Sequence, residues 1–464
     1  MHKTYEELMK NNPSVVIWGT GKIMRKYISK IDPGLKISFF ADTYQHKWET
    51  YPAKEIDCKY SDILCKSKDE IQFNDVVFIA IEAERDIKIV SAELDKKGIN
   101  YCHIIEAVHA YRPIYEAKQL DRYEKCNNNS EQQFDNKKLK KYITCHVPYS
   151  YCNLRCSYCY ITQIKDFIYK KNFFHSPKFI RAALSKKRLG GVALINFCAA
   201  GETLMCSELI PIIEEIVKEG HFVSIVTNGT ITKAFDELLA TGINMEHVFI
   251  KFSFHFLELK RLNLLDVFTS NVRRMRSAGC SISIEVTPSD ELIPYIDEIK
   301  SFSVQEFGAY PHFTVARDDT SDDVRILTEH NMEEYKNVWG TFDSALFEFK
   351  MAQVSIKRFE DCKAGELSAH MNLETGDLFK CIGNPYLDNI YDDICKDIKF
   401  EAVGNKCKLP YCWNCHSYLA LGVIDEFKAP TYYDVRDRKT TNGEHWVHGK
   451  MEHIFKQRLY ENNK

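Results

Sequence analysis

The chain has 464 residues, 45% apolar and 27% charged, and this globular composition excludes a disordered, collagen-like or coiled-coil protein. At roughly 100–200 residues per domain, the length predicts two to four domains. The 62 basic and 65 acidic residues leave a formal charge of −3, so nucleic acid is not an expected partner. No apolar run approaches the roughly 20 residues that span a bilayer. The start lacks the features of a signal peptide, which predicts a cytoplasmic location.

The first segment, residues 1–110, alternates strand-like and helix-like patterns. The apolar runs that predict strands lie at 15–18, 37–41 and 76–81. This alternation predicts a small Rossmann-like domain with a doubly wound parallel sheet. The turn Gly19-Thr20-Gly21, followed by Asp42, is similar to a dinucleotide fingerprint, but Met24 stands at the third glycine position. Two interpretations stay open, a nucleotide or nucleotide-sugar site and a fold that binds nothing at this turn.

A polar stretch then predicts a linker over residues 111–141, and from 142 to 325 the alternation resumes with a longer period. The strand-like segments of this second region are 143–147, 192–197, 222–227, 247–254, 281–287 and 313–316. Six successive units predict a partial (β/α)6 TIM-like barrel, whose ligands bind at the carboxyl ends of the strands. The last region, 326–464, is mixed and rich in cysteine. The predicted fold class is therefore α/β.

The 17 cysteines are the unusual feature of the composition, and only two groups of them are closely spaced. The first group, Cys152, Cys156 and Cys159, directly follows the first predicted barrel strand. Three thiolates within eight residues can hold an iron–sulfur cubane and leave its fourth iron for a small chelating ligand. A zinc site with Cys145 or His146 as the fourth ligand is the alternative, although C-x3-C-x2-C is not the usual zinc spacing.

This spacing, placed after the first strand of a barrel, resembles the radical S-adenosylmethionine (SAM) superfamily. Further segments of that family's pattern follow in order: 199–203 is similar to its Gly-Gly-Glu segment, and 227–230 to its T-N-G segment. The resemblance implies a [4Fe-4S] cluster on the three cysteines, with SAM bound to it. The implied SAM-binding residues are Tyr158 beside the adenine, Gly201, Glu202 on the methionine amino group, Asn228, and Ser253 and Glu285 near the ribose.

In that family an electron from the reduced cluster cleaves the sulfonium, and the 5′-deoxyadenosyl radical takes a hydrogen atom from the substrate. The resemblance therefore implies an electron donor such as flavodoxin or ferredoxin. His255, His312 and Arg317 fall near predicted strand ends and are candidates for positioning a polar substrate. Each is as readily a hydrogen-bonded structural residue.

The second cysteine group resembles the SPASM/Twitch extension of radical SAM enzymes. Six cysteines lie here where a full SPASM set has seven, which implies one auxiliary [4Fe-4S] cluster. The implied ligands are Cys362, Cys381, Cys412 and Cys415. Cys407 is the main rival for one of these places, and Cys395 is a second. A structural zinc knot at the C-x2-C pair is the alternative.

The expected function is dehydrogenation or epimerisation of a carbohydrate, nucleotide sugar or similar small polar substrate, with a place in surface polysaccharide metabolism. A single auxiliary cluster favours it, because such a cluster can accept the electron released when a substrate radical is oxidised. The first alternative is a peptide-modifying SPASM maturase, although residues 1–110 do not resemble the winged-helix module that often holds a leader peptide. The second is a metal-binding module without catalysis.

Overall fold

The computed structural model describes residues 4–127, 134–165, 175–320, 325–382 and 385–464. The chain forms two compact units, Met1–Asp121 and Arg122–Lys464. Each unit is built around its own β-sheet.

The first unit contains a five-stranded parallel sheet in the order β3-β2-β1-β4-β5. Its strands are β1 (Val15–Trp18), β2 (Ile37–Asp42), β3 (Cys65–Ser67), β4 (Val76–Ile79) and β5 (Asn100–His103). The α-helices of this part of the chain are α1 (Tyr5–Met9), α2 (Lys22–Tyr27), α3 (Glu84–Lys97) and α4 (Ile104–Asn127). The strand order is that of a Rossmann-like fold, as predicted.

The central strands β1 and β4 are buried along their whole length. Ile17 and Phe78 pack into one apolar cluster, whereas Trp18 and Ile79 pack into a second. A strand that is covered on both faces reads as a continuous apolar run, and this explains the absence of alternation in the sequence.

The predicted linker is wrong over its first part, because α4 continues to Asn127. This helix contains Pro113, and its apolar residues do not form one stripe, so the sequence gives no clear helical period there. Residues 128–133 of the predicted linker lie outside the described residues, and the next strand begins at Leu139.

The second unit contains a nine-stranded sheet in the order β11-β10-β9-β8-β7-β6-β12-β13-β14. Its strands are β6 (Leu139–Val147), β7 (Val192–Ala199), β8 (Phe222–Thr227), β9 (Val248–Ser253), β10 (Ser281–Val286), β11 (His312–Phe313), β12 (Ser368–Asn372), β13 (Asp377–Phe379) and β14 (Tyr386–Asn389). The first six are parallel and adjacent in chain order, which confirms the partial barrel. Strand β12 then extends the sheet by pairing in parallel with β6, an extension that the sequence did not predict.

Helices alternate with the barrel strands and continue beyond them. The α-helices of this unit are α5 (Tyr160–Ile164), α6 (Pro177–Ala183), α7 (Lys186–Leu189), α8 (Leu209–Lys218), α9 (Thr232–Ala240), α10 (Phe256–Arg261), α11 (Leu265–Ser277), α12 (Ile296–Phe307), α13 (Met332–Gly340), α14 (Ala345–Met351), α15 (Cys415–Tyr418), α16 (Gly449–Phe455) and α17 (Leu459–Asn462). Helix α8 is amphipathic, and its apolar residues are buried.

The C-terminal segment packs against the barrel strands. Phe455 makes an edge-to-face contact with Phe249 of β9 at a centroid distance of 4.9 Å. Arg436 forms an ion pair with Glu285 of β10, and both side chains are almost fully buried. Glu285 also pairs with Lys251 at 3.2 Å. The last residues of the chain therefore stabilise the barrel.

We expect Arg436→Met to destabilise the protein by about 3 kcal/mol, because it leaves the buried Glu285 carboxylate with one cation among the described residues. The double variant Glu285→Gln/Arg436→Met should recover part of this loss. Anaerobic thermal unfolding of the two variants and the parent measures the difference. Equal stability of the single variant and the parent would contradict the assigned ion pair.

Candidate active site

The three closely spaced cysteines lie on the loop between β6 and α5, at the carboxyl end of the first barrel strand. Cys159 directly precedes α5, and its N–H donates to the carbonyl of Cys156 at 3.2 Å. The sulfur of Cys152 accepts from the N–H of Leu154 at 3.4 Å and from the side-chain amide of Asn228 at 3.7 Å. The thiols thus lie where ligands of this fold bind.

The chemistry of this donor set fits an iron–sulfur cluster. The pKa of Cys152 is raised to about 11 and that of Cys156 to about 12, chiefly by burial, and the charge of Cys159 contributes to both shifts. The three sulfur atoms therefore lie within electrostatic range of one another. Neighbouring thiolates repel each other unless a metal centre binds them, and three ligands leave one iron of a cubane free.

The turn after β7 is hydrogen-bonded to the start of the cysteine loop. The N–H of Gly201 donates to the carbonyl of Tyr149 at 2.8 Å, and the N–H of Glu202 donates to that of Tyr151 at 2.9 Å. A Cβ on residue 201 would stand 2.0 Å from the Tyr151 carbonyl oxygen. Glycine is therefore required here for close backbone approach.

The side chain of Glu202 joins β7 to β8. Its buried carboxylate accepts hydrogen bonds from the Thr227 hydroxyl at 2.6 Å, the Asn228 N–H at 2.7 Å and the Leu204 N–H at 2.9 Å. Burial raises the pKa of Glu202, whereas these hydrogen bonds favour its ionised form. Glu202 thus organises the two strand ends, and its contact with the methionine amino group stays a prediction.

Asn228 connects the end of β8 to the cysteine loop. Its side-chain amide donates to Asn153 Oδ1 at 2.8 Å, and Asn153 in turn donates to the Thr230 hydroxyl at 2.8 Å. Sequence reasoning missed the structural role of Asn153, for which the only signal was its position directly after Cys152. Asn228 lies beside the Cys152 thiol, and its binding of SAM stays a prediction.

Tyr158 and His255 were predicted separately, and the structure brings them together. The Tyr158 hydroxyl lies 2.7 Å from His255 Nδ1. Burial and then the charge of Lys251 lower the pKa of His255 to about 4, so its ring is neutral at pH 7. The neutral imidazole and the neighbouring phenol together form a polar, uncharged surface.

Two of the predicted contact residues already have partners within the protein. Glu285 is not a free carboxylate, since Arg436 and Lys251 pair with it, and its contact with the ribose stays a prediction. Burial alone would raise the pKa of Glu285, but these two charges lower it to about 2. His312 is 1% exposed, and its ring nitrogens lie 3.0 Å from the Asp437 carbonyl and 3.3 Å from the Ser344 hydroxyl. A contact of His312 with the substrate also stays a prediction.

Ser253 stays a candidate for binding the SAM ribose, and Arg317 stays a candidate for positioning the substrate. Ser253 ends β9 beside Glu285 in the strand register and is half-buried. The guanidinium of Arg317 lies 5.9 Å from the ring centre of Trp413 and 3.8 Å from Asp319. Arg317 is thereby close to the second cysteine group, since Trp413 stands between Cys412 and Cys415.

The second group assembles five cysteines from separate parts of the chain. Burial raises the pKa of Cys412 well above its ordinary value, and the charges of four other thiols raise it further. These four belong to Cys415, Cys381, Cys362 and Cys407. Cys407 therefore stays a rival ligand.

Within the described ranges, no group of three His, Cys, Asp or Glu side chains is arranged to hold a single metal ion. A cubane differs from such a site, because its ligands are distributed over several irons.

Cys395 is not part of this group, so its proposed place among the auxiliary ligands is corrected. Its pKa is raised by burial and by the charges of Cys126 and Asp393, while Arg122 lowers it. The thiol thus lies beside Cys126, another cysteine outside both groups.

The glycine turn of the first unit lines a crevice of about 360 Å³ at the ends of β1, β2 and β4. Asp42, the acidic residue of the fingerprint, already accepts from the Thr20 N–H and hydroxyl and pairs with Lys47 at 3.0 Å. A Cβ on Gly19 would lie 2.6 Å from the carbonyl of Ala80. The glycine is thus required for strand packing, and nucleotide binding stays a prediction.

The sequence model of the Radical SAM superfamily matches residues 146–287. This segment runs from the end of β6 past the end of β10, and it includes the three cysteines, Glu202 and Asn228. The fold and the site therefore define a radical SAM domain. A [4Fe-4S] cluster and SAM are the cofactors that a match to this superfamily implies.

Several solved structures resemble the chain. SuiB of Streptococcus suis, bound to S-adenosylmethionine, is 13% identical over 67% of this chain and 75% of its own, with a TM-score of 0.39. The protein anSMEcpe with bound AdoMet is 14% identical over 54% and 78%, with a TM-score of 0.36. BtrN in complex with AdoMet and 2-DOIA is 17% identical over 57% and 85%, with a TM-score of 0.27.

No curated protein matches the sequence significantly. Across the part of the chain that the structure describes, no helix has both the length and the apolar character needed to cross a membrane.

We expect Gly201→Ala to displace the cysteine loop, because the new methyl group would collide with the Tyr151 carbonyl. The variant should lose iron and sulfide from the first cluster after anaerobic reconstitution. Gly340→Ala is the matched control, since nothing lies within 4 Å of its Cβ position. If both variants hold the parent's iron content, the close approach does not position the thiols.

Proposed function

We propose that this radical SAM enzyme abstracts hydrogen from a carbohydrate, nucleotide sugar or similar small polar substrate, in a dehydrogenation or an epimerisation. The observation that supports this substrate class is a set of polar and charged side chains between the two cysteine groups. An apolar substrate would not require buried charges there.

The inner positions of the barrel strands become polar towards their carboxyl ends. His146 is opposite Cys198 in the register of β6 and β7, and Lys251 follows two positions after Phe249 on β9. Because side chains alternate along a strand, Lys251 and Ser253 share the face of Phe249, which packs inside the barrel. This face offers hydrogen-bonding groups to a ligand above it.

A chain of neighbours runs from the first cysteine group to the second. Tyr160 follows Cys159, and its pKa is raised by burial and then by the charges of Cys198 and Cys159, while Arg317 lowers it. Arg317 in turn lies over Trp413. A substrate held along this path is near both sites of electron transfer.

The cluster, when bound, supplies the electron that cleaves SAM to the hydrogen-abstracting 5′-deoxyadenosyl radical. The chain's own residues would hold the cluster and order the loops around it. Cys152, Cys156 and Cys159 would be its ligands, and Glu202 fixes the ends of β7 and β8. Tyr158 and His255 form a neutral pair beside the loop. A flavodoxin or ferredoxin is the proposed electron donor.

We further propose one auxiliary [4Fe-4S] cluster with Cys362, Cys381, Cys412 and Cys415 as ligands and Cys407 as the rival. The convergence of these five thiols supports it. Such a cluster can accept the electron that a dehydrogenation releases.

The reduced protein should convert SAM to 5′-deoxyadenosine, and Cys152→Ala should abolish this product by removing a ligand of the first cluster. Cys58→Ala, an exposed cysteine outside both groups, is the control and should retain the parent's rate. Chromatography with mass spectrometry of anaerobic, dithionite-reduced samples provides the measurement. Undiminished product from Cys152→Ala would contradict the ligand assignment.

Anaerobic reconstitution should give about eight irons per chain, from two four-iron clusters. Cys412→Ala should lower the count towards four, whereas Cys395→Ala should not change it. About four irons in the parent would reject the auxiliary cluster, and zinc in their place would favour the zinc knot.

The substrate class is tested by incubating the reduced enzyme and SAM with a nucleotide-sugar pool in deuterated water. A dehydrogenase yields a product two hydrogens lighter, and an epimerase yields an isomer with one solvent deuterium. Turnover of peptides, with no turnover of the sugars, would favour the maturase alternative.

A further inference from the structure

Lys350 of α14 is a cation without a matching carboxylate. Its Nζ donates to the Thr314 hydroxyl at 2.8 Å. Among the described residues no Asp or Glu oxygen lies within ion-pair distance of this nitrogen. Burial, the largest cause, lowers the pKa of Lys350 to about 8; the charge of Cys415 opposes this shift, and the charges of Arg317 and Lys251 add to it. A charge removed from water is normally paired, so this ammonium calls for an anion.

Two further polar atoms, in the short segment around Cys415, have no partner. The indole nitrogen of Trp413 and Nδ1 of His416 are buried without a hydrogen bond in the part of the chain that the structure describes. Buried polar atoms in proteins are almost always hydrogen-bonded, and an unpaired indole N–H can only donate. The guanidinium of Arg317 lies 5.9 Å from the centre of the Trp413 ring, and Arg317 follows three residues after Thr314, the hydrogen-bond partner of Lys350.

The nearby negative charges are already engaged. The Glu285 carboxylate forms ion pairs with both Arg436 and Lys251. The Asp319 carboxylate is partly exposed and lies 3.8 Å from the Arg317 guanidinium. The region therefore holds more cations than carboxylates, together with an unused N–H donor. Such a set matches an acceptor-rich oxyanion.

We propose that Lys350, Arg317 and the Trp413 N–H form an oxyanion site that holds a phosphate or carboxylate group of the substrate beside the second cysteine group. The inference rests on the proposed function and narrows its substrate class to anionic molecules. Because Trp413 lies between two proposed cluster ligands, this site fixes one end of the substrate near the auxiliary cluster.

A rival explanation is that Lys350 only balances the charge of ligated Cys415, which also acts on it. This explanation predicts that loss of Lys350 changes the iron content and leaves anion binding intact. The oxyanion site predicts instead that loss of Lys350 weakens anion binding and leaves the iron content unchanged.

The test uses the anaerobically reconstituted full-length protein and two probes, inorganic phosphate and acetate, each replacing chloride at constant ionic strength. Thermal unfolding midpoints are recorded for the parent, Lys350→Met and Lys336→Met, an exposed lysine that serves as control. At least one probe should stabilise the parent and Lys336→Met more than Lys350→Met. The apparent affinity of Lys350→Met should be roughly tenfold weaker, as expected when a charged partner is lost. The more effective probe identifies the group as phosphate or carboxylate.

Equal stabilisation of the parent and Lys350→Met by both probes would overturn the proposal, since it would reflect a general salt effect. A Lys350→Met protein that loses iron and keeps the parent's anion response would support the rival explanation and also overturn the proposal. Should Lys350→Met fail to fold, Lys350→Arg and Trp413→Phe replace it. Lys350→Arg keeps the charge and should retain the response, and Trp413→Phe keeps an aromatic ring but removes the N–H donor and should weaken the response. The parent separates the two claims: anion binding without SAM cleavage rejects the proposed function and leaves this site standing.

Discussion

The carboxylate of Glu202 is the interaction on which the arrangement of the site depends. It accepts hydrogen bonds from the hydroxyl of Thr227 and the N–H of Asn228. The backbone of the same turn is hydrogen-bonded to the start of the cysteine loop. Three loops at the carboxyl ends of β6, β7 and β8 are therefore fixed to one buried group. Buried hydrogen bonds are strong and directional, and these keep the ends of β7 and β8 and the start of the cysteine loop together.

The second cysteine group depends on the barrel through the sheet itself. Strand β12 pairs with β6, the strand that leads into the first cysteine group. The same sheet thereby supports both thiol sets, and the charged residues between them gain fixed positions. The ion pair of Arg436 with Glu285 adds the C-terminal segment to this framework.

Local patterns in the sequence predicted the barrel strands, because a strand's apolar run is a property of a short segment. The ligand spacing that predicts the first cysteine site is equally local. Strand β8, for example, lies at the predicted residues. The rest depends on contacts between distant residues. Glu285 is paired with a residue 151 positions away, so its engagement had no local signal. The extension by β12 and the inclusion of Cys407 also arise only when separate segments meet, and α4 was missed because its polar composition resembles a linker.

The central claim is that three thiols hold a cluster with one iron open to SAM. The most direct measurement is electron paramagnetic resonance of the anaerobically reconstituted, dithionite-reduced Cys412→Ala variant, which isolates the first cluster, with and without SAM. We expect the signal of a reduced [4Fe-4S] cluster, and we expect this signal to change when SAM is added. A colourless, silent protein, or a signal that SAM leaves unaltered, would contradict it.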